Sequence, residues 1–106
     1  MATVANPDEL IEDGLARARE RVRIEAAYLF GSQLRDDAGE NSDIDLAIFS
    51  PDADPLNFVE RVHLTSEISL NCDSRLELHL YPSRALAEAR PSNFAGYIVR
   101  HGKRLI

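Results

Sequence analysis

Ala26-Ala27-Tyr28-Leu29-Phe30-Gly31-Ser32, ten further residues, and then Asp43-Ile44-Asp45-Leu46-Ala47-Ile48-Phe49 carry the reading of this chain. The first stretch is a short apolar run halted by Gly31-Ser32, too brief for a helix and suited to a buried strand. The second alternates over residues 43–49. Ile44, Leu46 and Ile48 point to one side of a strand, and Asp43, Asp45 and Ala47 to the other. Between them, residues 33–42 are polar, with Asp36, Asp37, Gly39 and Asn41, and read as a loop with room for one helical turn. So short a connection favours antiparallel pairing of the two strands.

Outward from this pair, residues 7–22 read as a helix. Asn6 is suited to cap it, Pro7 to its first turn, and Asp8 and Glu9 to the positive end of its dipole. Ile11, Leu15, Ala18 and Val22 form its apolar stripe, and Arg17, Arg19, Arg21 and Arg23 a solvated face. Residues 50–55 are turn-forming. Residues 56–70 read as a second helix, with Leu56, Val59 and Val62 inward. Residues 75–81 alternate again, setting Leu76, Leu78 and Leu80 opposite Glu77, His79 and Tyr81, and Pro82 ends the strand. Two helical pieces broken near Pro91 follow, with Phe94, Tyr97 and Ile98 as their stripe. Gly102 is placed to cap the last helix, and residues 103–106 to extend a sheet edge. The expected class is α/β, a small mixed sheet covered by helices.

At 106 residues the chain is expected to form one domain over residues 1–106. Twelve Lys and Arg against 18 Asp and Glu give a net charge of -6, which argues against sequence-blind nucleic-acid binding. It leaves open a small anion held with a metal, because the metal supplies the positive charge. The single Cys72 excludes an internal disulfide and suits a reducing cytoplasm. No apolar run has the length of a membrane span and the N-terminus lacks a signal-peptide core, so a cytoplasmic protein is expected.

Asp43 and Asp45, two apart on a strand, stand side by side on one face. Like charges so placed repel unless a cation neutralises them. Hard cations such as Mg²⁺ take oxygen ligands and bridge carboxylates to phosphates. Glu77, between Leu76 and Leu78, holds the equivalent position on the next strand and can be a third carboxylate, enough for one or two divalent ions. Gly31 lets the backbone turn and approach a ligand closely, and the following amides with the Ser32 hydroxyl can donate to phosphate oxygens. No second Gly and no Lys-Ser/Thr follow at the required spacing, so this is not a P-loop. Residues 37–41 lack the Gly at loop position six and the distal Glu of an EF-hand. His79 shares the face of Glu77, from which it can tune the site, with a satisfied surface histidine as the favoured reading; His63 and Cys72 read as structural.

Gly31-Ser32, the gap of ten and Asp43-Ile44-Asp45 resemble the signature of polymerase-β-like nucleotidyltransferases. With Ser42 before the first Asp and a closing Ile98-Val99-Arg100-His101-Gly102-Lys103-Arg104-Leu105, the chain is similar to the minimal nucleotidyltransferases, antitoxins paired with HEPN-domain toxins. The resemblance covers residues 26–105. It implies the polymerase-β-like nucleotidyltransferase fold, with Asp43, Asp45 and Glu77 as catalytic residues and ligands of one or two Mg²⁺. Gly31 and Ser32 are then the nucleotide-binding turn and Arg35 a further phosphate contact. Where the family commonly has an Asp, this chain has Glu77, one methylene longer.

The function so implied is transfer of AMP from ATP to a hydroxyl, with a tyrosine of a cognate HEPN ribonuclease toxin as acceptor. Beyond the core the chain offers one N-terminal helix and one C-terminal helical stretch, so the acceptor is expected to arrive on another molecule. Two alternatives differ in kind. One is a non-catalytic antitoxin that occludes the toxin; the other is a stand-alone enzyme for a small molecule.

Overall fold

A computed structural model describes residues 7–30, 44–90 and 92–106. Helix α1 runs Pro7–Arg19, β1 Ala26–Phe30 and β2 Ile44–Ser50, followed by a 3₁₀ turn at Pro51–Ala53. Then come α2 (Phe58–Ser69), β3 (Leu76–Pro82), α3 (Ser83–Ala87), α4 (Phe94–His101) and β4 (Lys103–Arg104). The four strands form one sheet in the order β3-β2-β1-β4. β1 is antiparallel to both β2 and β4, whereas β2 and β3, joined through α2, are parallel. The sheet is mixed and carries helices on both faces, as expected for this class.

Period-two alternation divides the sheet into two cores. Ala27, Ile44, Leu46, Ile48, Leu76, Leu78 and Leu80 lie against Leu10, Ile11, Leu15, Ala18 and Val22 from α1 and its exit, and against Ile68 of α2. On the opposite face Ala26, Tyr28, Phe30, Ala47 and Phe49 meet Ile98 of α4, with Ala85, Leu86 and Ala95 at the margin. Both faces of β2 are therefore covered, and Leu46, Ala47, Ile48 and Phe49 are wholly buried.

The expected stripe of α1 is buried as predicted, although the helix stops at Arg19 and Val22 packs from the turn beyond it. Arg17, Arg21 and Arg23 are exposed but paired, with Asp13, Glu67 and Asp52. Of the residues expected inward on the second helix, Leu56 does pack against the core, from just before α2, but the other two are corrected. Val59 and Val62 are exposed, and Leu64, Ile68 and Cys72 face the core instead. The helix starts at an Asn57–Glu60 capping box. At about 100° per residue, Val59 and Val62 then stand well away from the line through Leu64 and Ile68. Helix α4 buries Ile98 as expected, but Phe94 and Tyr97 stand about half exposed. Gly102 does cap α4, its amide donating to the Ile98 carbonyl at 2.7 Å, and β4 extends the sheet beside β1.

Candidate active site

The register of the three main strands builds the site. Phe30 pairs with Asp45, and Asp45 pairs with Glu77, so these three residues form one row across the sheet. The next row is Tyr28, Ala47 and His79; the third is Ala26, Phe49 and Tyr81. All nine side chains lie on the α3–α4 face by alternation. Ala26, Tyr28, Ala47, Phe49 and Tyr81 sit under those helices. The Phe30–Asp45–Glu77 row lies where the chain leaves β1 toward Gly31 and enters β2 from Asp43.

Polar chemistry concentrates at that end. Asp45 is partly buried, Glu77 is exposed, and His79 is partly buried. The His79 Nε2 lies 3.3 Å from Oδ1 of Asp45. One ligand atom from each of Asp45, Glu77 and His79 falls within 4.8 Å of the others. His79 is held in this position from one side: its ring lies 5.2 Å from that of Phe30, which is 7% exposed. Ala47, the smallest side chain in its row, leaves room for those two rings to meet above it. An aromatic series continues outward from Phe30 to Phe94 at 5.9 Å, from Phe94 to Tyr97 at 6.0 Å, and from Tyr97 to His101 at 4.7 Å.

Of the expected site residues, the structure brings Asp45 and Glu77 together on neighbouring strands in matching register. Gly31, Ser32, Arg35 and Asp43 lie outside the described residues. His79, for which the sequence favoured a surface histidine over a group that tunes the site, is part of the cluster. The signal for it was present: it follows Glu77 at a spacing of two, hence on the same strand face. Cys72 keeps its structural reading. Burial pushes its thiol above the ordinary value, the Asp13 charge adds to that rise and Arg17 opposes it, and the thiol donates to the Ile68 carbonyl at 3.4 Å. A raised thiol is a poor nucleophile near neutrality.

Two carboxylates and an imidazole, converging on one point with their backbones fixed by a sheet, fit the donor set of a divalent cation. Two ligands at a right angle on one ion, each about 2.1 Å from it, stand about 3 Å apart, close to the Asp45–His79 separation. Glu77, with three side-chain torsions and an exposed position, can close the remaining gap.

No curated protein sequence matches the chain. Among solved structures, one similar chain belongs to a crystal structure of a toxin–antitoxin with AMP-PNP. It is 25% identical over 90% of this chain and 71% of that one, with a TM-score of 0.59. Another is a candidate nucleotidyltransferase from Sulfolobus solfataricus, 17% identical over 99% of this chain and 88% of that one, with a TM-score of 0.54. The latter likeness speaks to the fold alone. The family model described as polymerase beta, nucleotidyltransferase matches residues 15–106, a span that includes every strand and the whole acidic cluster. The chain therefore belongs to the polymerase beta nucleotidyltransferase family, within which it resembles the minimal nucleotidyltransferases.

Proposed function

We propose that the protein is an antitoxin that transfers AMP from ATP to a hydroxyl, a tyrosine of a cognate HEPN ribonuclease toxin. Residues 1–106 act as one nucleotidyltransferase domain in the cytoplasm. The observation that carries this reading is the Asp45–Glu77 pair, set side by side on parallel strands at the end of the face where β1 runs into Gly31-Ser32. Family membership supports nucleotidyl transfer, and the toxin–antitoxin neighbour with AMP-PNP supports both the nucleotide and the kind of partner.

In this mechanism Asp43, Asp45 and Glu77 would hold one or two Mg²⁺. A bound ion supplies positive charge that offsets the charge on the phosphates and favours ionisation of the attacking hydroxyl. The amides after Gly31, the Ser32 hydroxyl and the Arg35 guanidinium hold the triphosphate. Glu77, the more exposed of the two described carboxylates, faces the incoming acceptor and takes its proton. The acceptor oxygen forms a bond to the α-phosphorus while the bond from that phosphorus to the α–β bridging oxygen breaks, and pyrophosphate leaves with the electron pair. Preorganised charge and alignment provide most of the acceleration in such displacements.

A second reading, neutralisation by occlusion without chemistry, draws on the exposed apolar side chains Phe58, Val59 and Leu70, which a partner could cover. One experiment separates the two. The protein is incubated with the HEPN toxin, ATP and Mg²⁺, and the toxin is weighed by mass spectrometry. A gain of one or more AMP units, absent with Asp45→Asn, is the expected result. A toxin inhibited at unchanged mass would establish occlusion and overturn the catalytic reading. An adenylyl group at a ribonuclease site adds bulk and negative charge where RNA phosphates bind, which explains how transfer would inactivate it.

A further inference from the structure

Within the nucleotidyltransferase reading of this site, on which the inference rests, we propose that His79 is itself a metal ligand. Its Nε2 joins Asp45 and Glu77 on one divalent ion and turns the site toward first-row transition ions such as Mn²⁺ in preference to Mg²⁺. Three observations combine. The ring nitrogen is in hydrogen-bond contact with Oδ1 of Asp45 at 3.3 Å, a spacing that also lets both atoms reach one ion. Nε2, an Asp45 oxygen and a Glu77 oxygen fall within 4.8 Å of one another. The imidazole is also fixed rather than free-swinging, because it stands on a sheet strand and packs at 5.2 Å on the buried Phe30 ring. Holding the donor in place before the ion arrives reduces the ordering that binding requires.

The chemical consequence follows from the donor type. Mg²⁺ keeps to oxygen ligands, demands near-ideal octahedral geometry and gives up water reluctantly. First-row transition ions accept imidazole readily, with affinity at a nitrogen-containing site rising from Mn²⁺ toward Cu²⁺. Replacing one oxygen donor by Nε2 weakens Mg²⁺ relative to Mn²⁺ without changing the charge contributed by the carboxylates. The same Asp45–Glu77 framework therefore serves either ion, and His79 sets the preference between them.

Mn²⁺ is the probe. The full-length protein is titrated with Mn²⁺, with and without a non-hydrolysable ATP analogue. The bound ion is then examined by pulsed electron paramagnetic resonance for coupling to a ¹⁴N nucleus, and Mg²⁺ competition gives the affinity ratio. The expected result is ¹⁴N coupling in the wild-type protein and a Mn²⁺-over-Mg²⁺ preference that falls about tenfold or more in His79→Ala and His79→Gln. Retained circular dichroism in these variants shows that they fold. Bound Mn²⁺ with no ¹⁴N coupling, or an unchanged affinity ratio in both variants, would overturn the assignment while leaving AMP transfer to be decided by the toxin's mass. No bound Mn²⁺ under any of these conditions would overturn both the His79 assignment and the metal-dependent mechanism.

Discussion

At the scale of single residues, the site depends on a geometric coincidence between two strands. Asp45 and Glu77 are neighbours because β2 and β3 run parallel with Leu46 beside Leu78 and Ile44 beside Leu76. Their chemistry is separable from that packing, since each carboxylate projects from the sheet while the flanking leucines and isoleucine hold the strands. Asp45→Asn is therefore expected to abolish nucleotidyl transfer with the far-ultraviolet circular dichroism unchanged. Glu77→Gln, which keeps size and polarity, should lower kcat by about 10²-fold, the scale of a lost general base, with a much smaller change in nucleotide affinity. Both are read by single-turnover transfer assays beside isothermal titration with the nucleotide. Wild-type turnover in Glu77→Gln would remove that residue from the reaction.

At the scale of elements, two junctions fix the helices that cover the functional face. Gly102 ends α4 in an extended conformation rather than a left-handed one, with φ at -81°. Its need for glycine comes from space: an added Cβ would lie 2.5 Å from the Ile98 carbonyl oxygen and 3.0 Å from that of Leu29. Gly102→Ala must therefore push backbone against backbone. It is expected to cost about 1–3 kcal/mol and to loosen β4, visible as faster hydrogen exchange at the Leu105 amide, which donates to the Ala27 carbonyl.

The second junction is Asp54, which accepts from the Ser83 hydroxyl at 2.9 Å and from the Arg84 amide at 3.2 Å at the start of α3. Burial acts against its ionisation, but these hydrogen bonds and the Arg84 charge outweigh that effect and hold its carboxyl below the ordinary value of 3.8. A carboxyl depressed on folding stabilises the native state at pH above its unfolded value and loses that contribution as pH falls through the folded one. Acidification below about pH 4 should thus weaken the Asp54 side-chain contacts at the start of α3. Asp54→Asn should flatten the acid side of the stability profile in denaturant titrations, and an unchanged profile would dismiss the junction as an acid-sensitive contact.

For the whole molecule, the central strand decides stability because it is enclosed by both cores. Ile48 is completely buried against the α1–α2 layer. Ile48→Ala is expected to cost about 2–5 kcal/mol through lost burial and a residual cavity, lowering Tm by about 10 °C or more for a domain of this size. Val59→Ser on the exposed side of α2 should stay within about 0.5 kcal/mol, although that side chain is as apolar as those in the core. Thermal unfolding of the two variants, followed side by side, checks the assignment of faces on α2. A large loss for Val59→Ser would return that residue to the core. Among the described residues, no helix is long and apolar enough to cross a membrane.

What the sequence by itself determined is everything governed by short spacing. Alternation along residues 44–49 and 76–81 assigned both faces of β2 and β3. The abrupt end of the apolar run at Phe30 marked the close of β1. The Gly31-Ser32 and Asp43-Ile44-Asp45 pattern pointed to the family whose model matches the chain. Each of these signals lies within a few residues and follows from backbone geometry alone.

Only the tertiary structure decided what depends on how distant segments meet. Helix α2 carries apolar side chains around much of its circumference, so its inward face was set by where Leu64 and Ile68 find the sheet, and Val59 and Val62 were left outside. Phe94 and Tyr97 have the spacing of a buried stripe, yet α4 docks through Ala95 and Ile98 and leaves both rings half exposed. His79 became part of the acidic cluster because the parallel register places its strand beside β2, 34 positions away from Asp45 in the chain. Periodicity gives the side of a strand on which a residue stands; which neighbours share that side is settled by strand register, a property of the packed molecule.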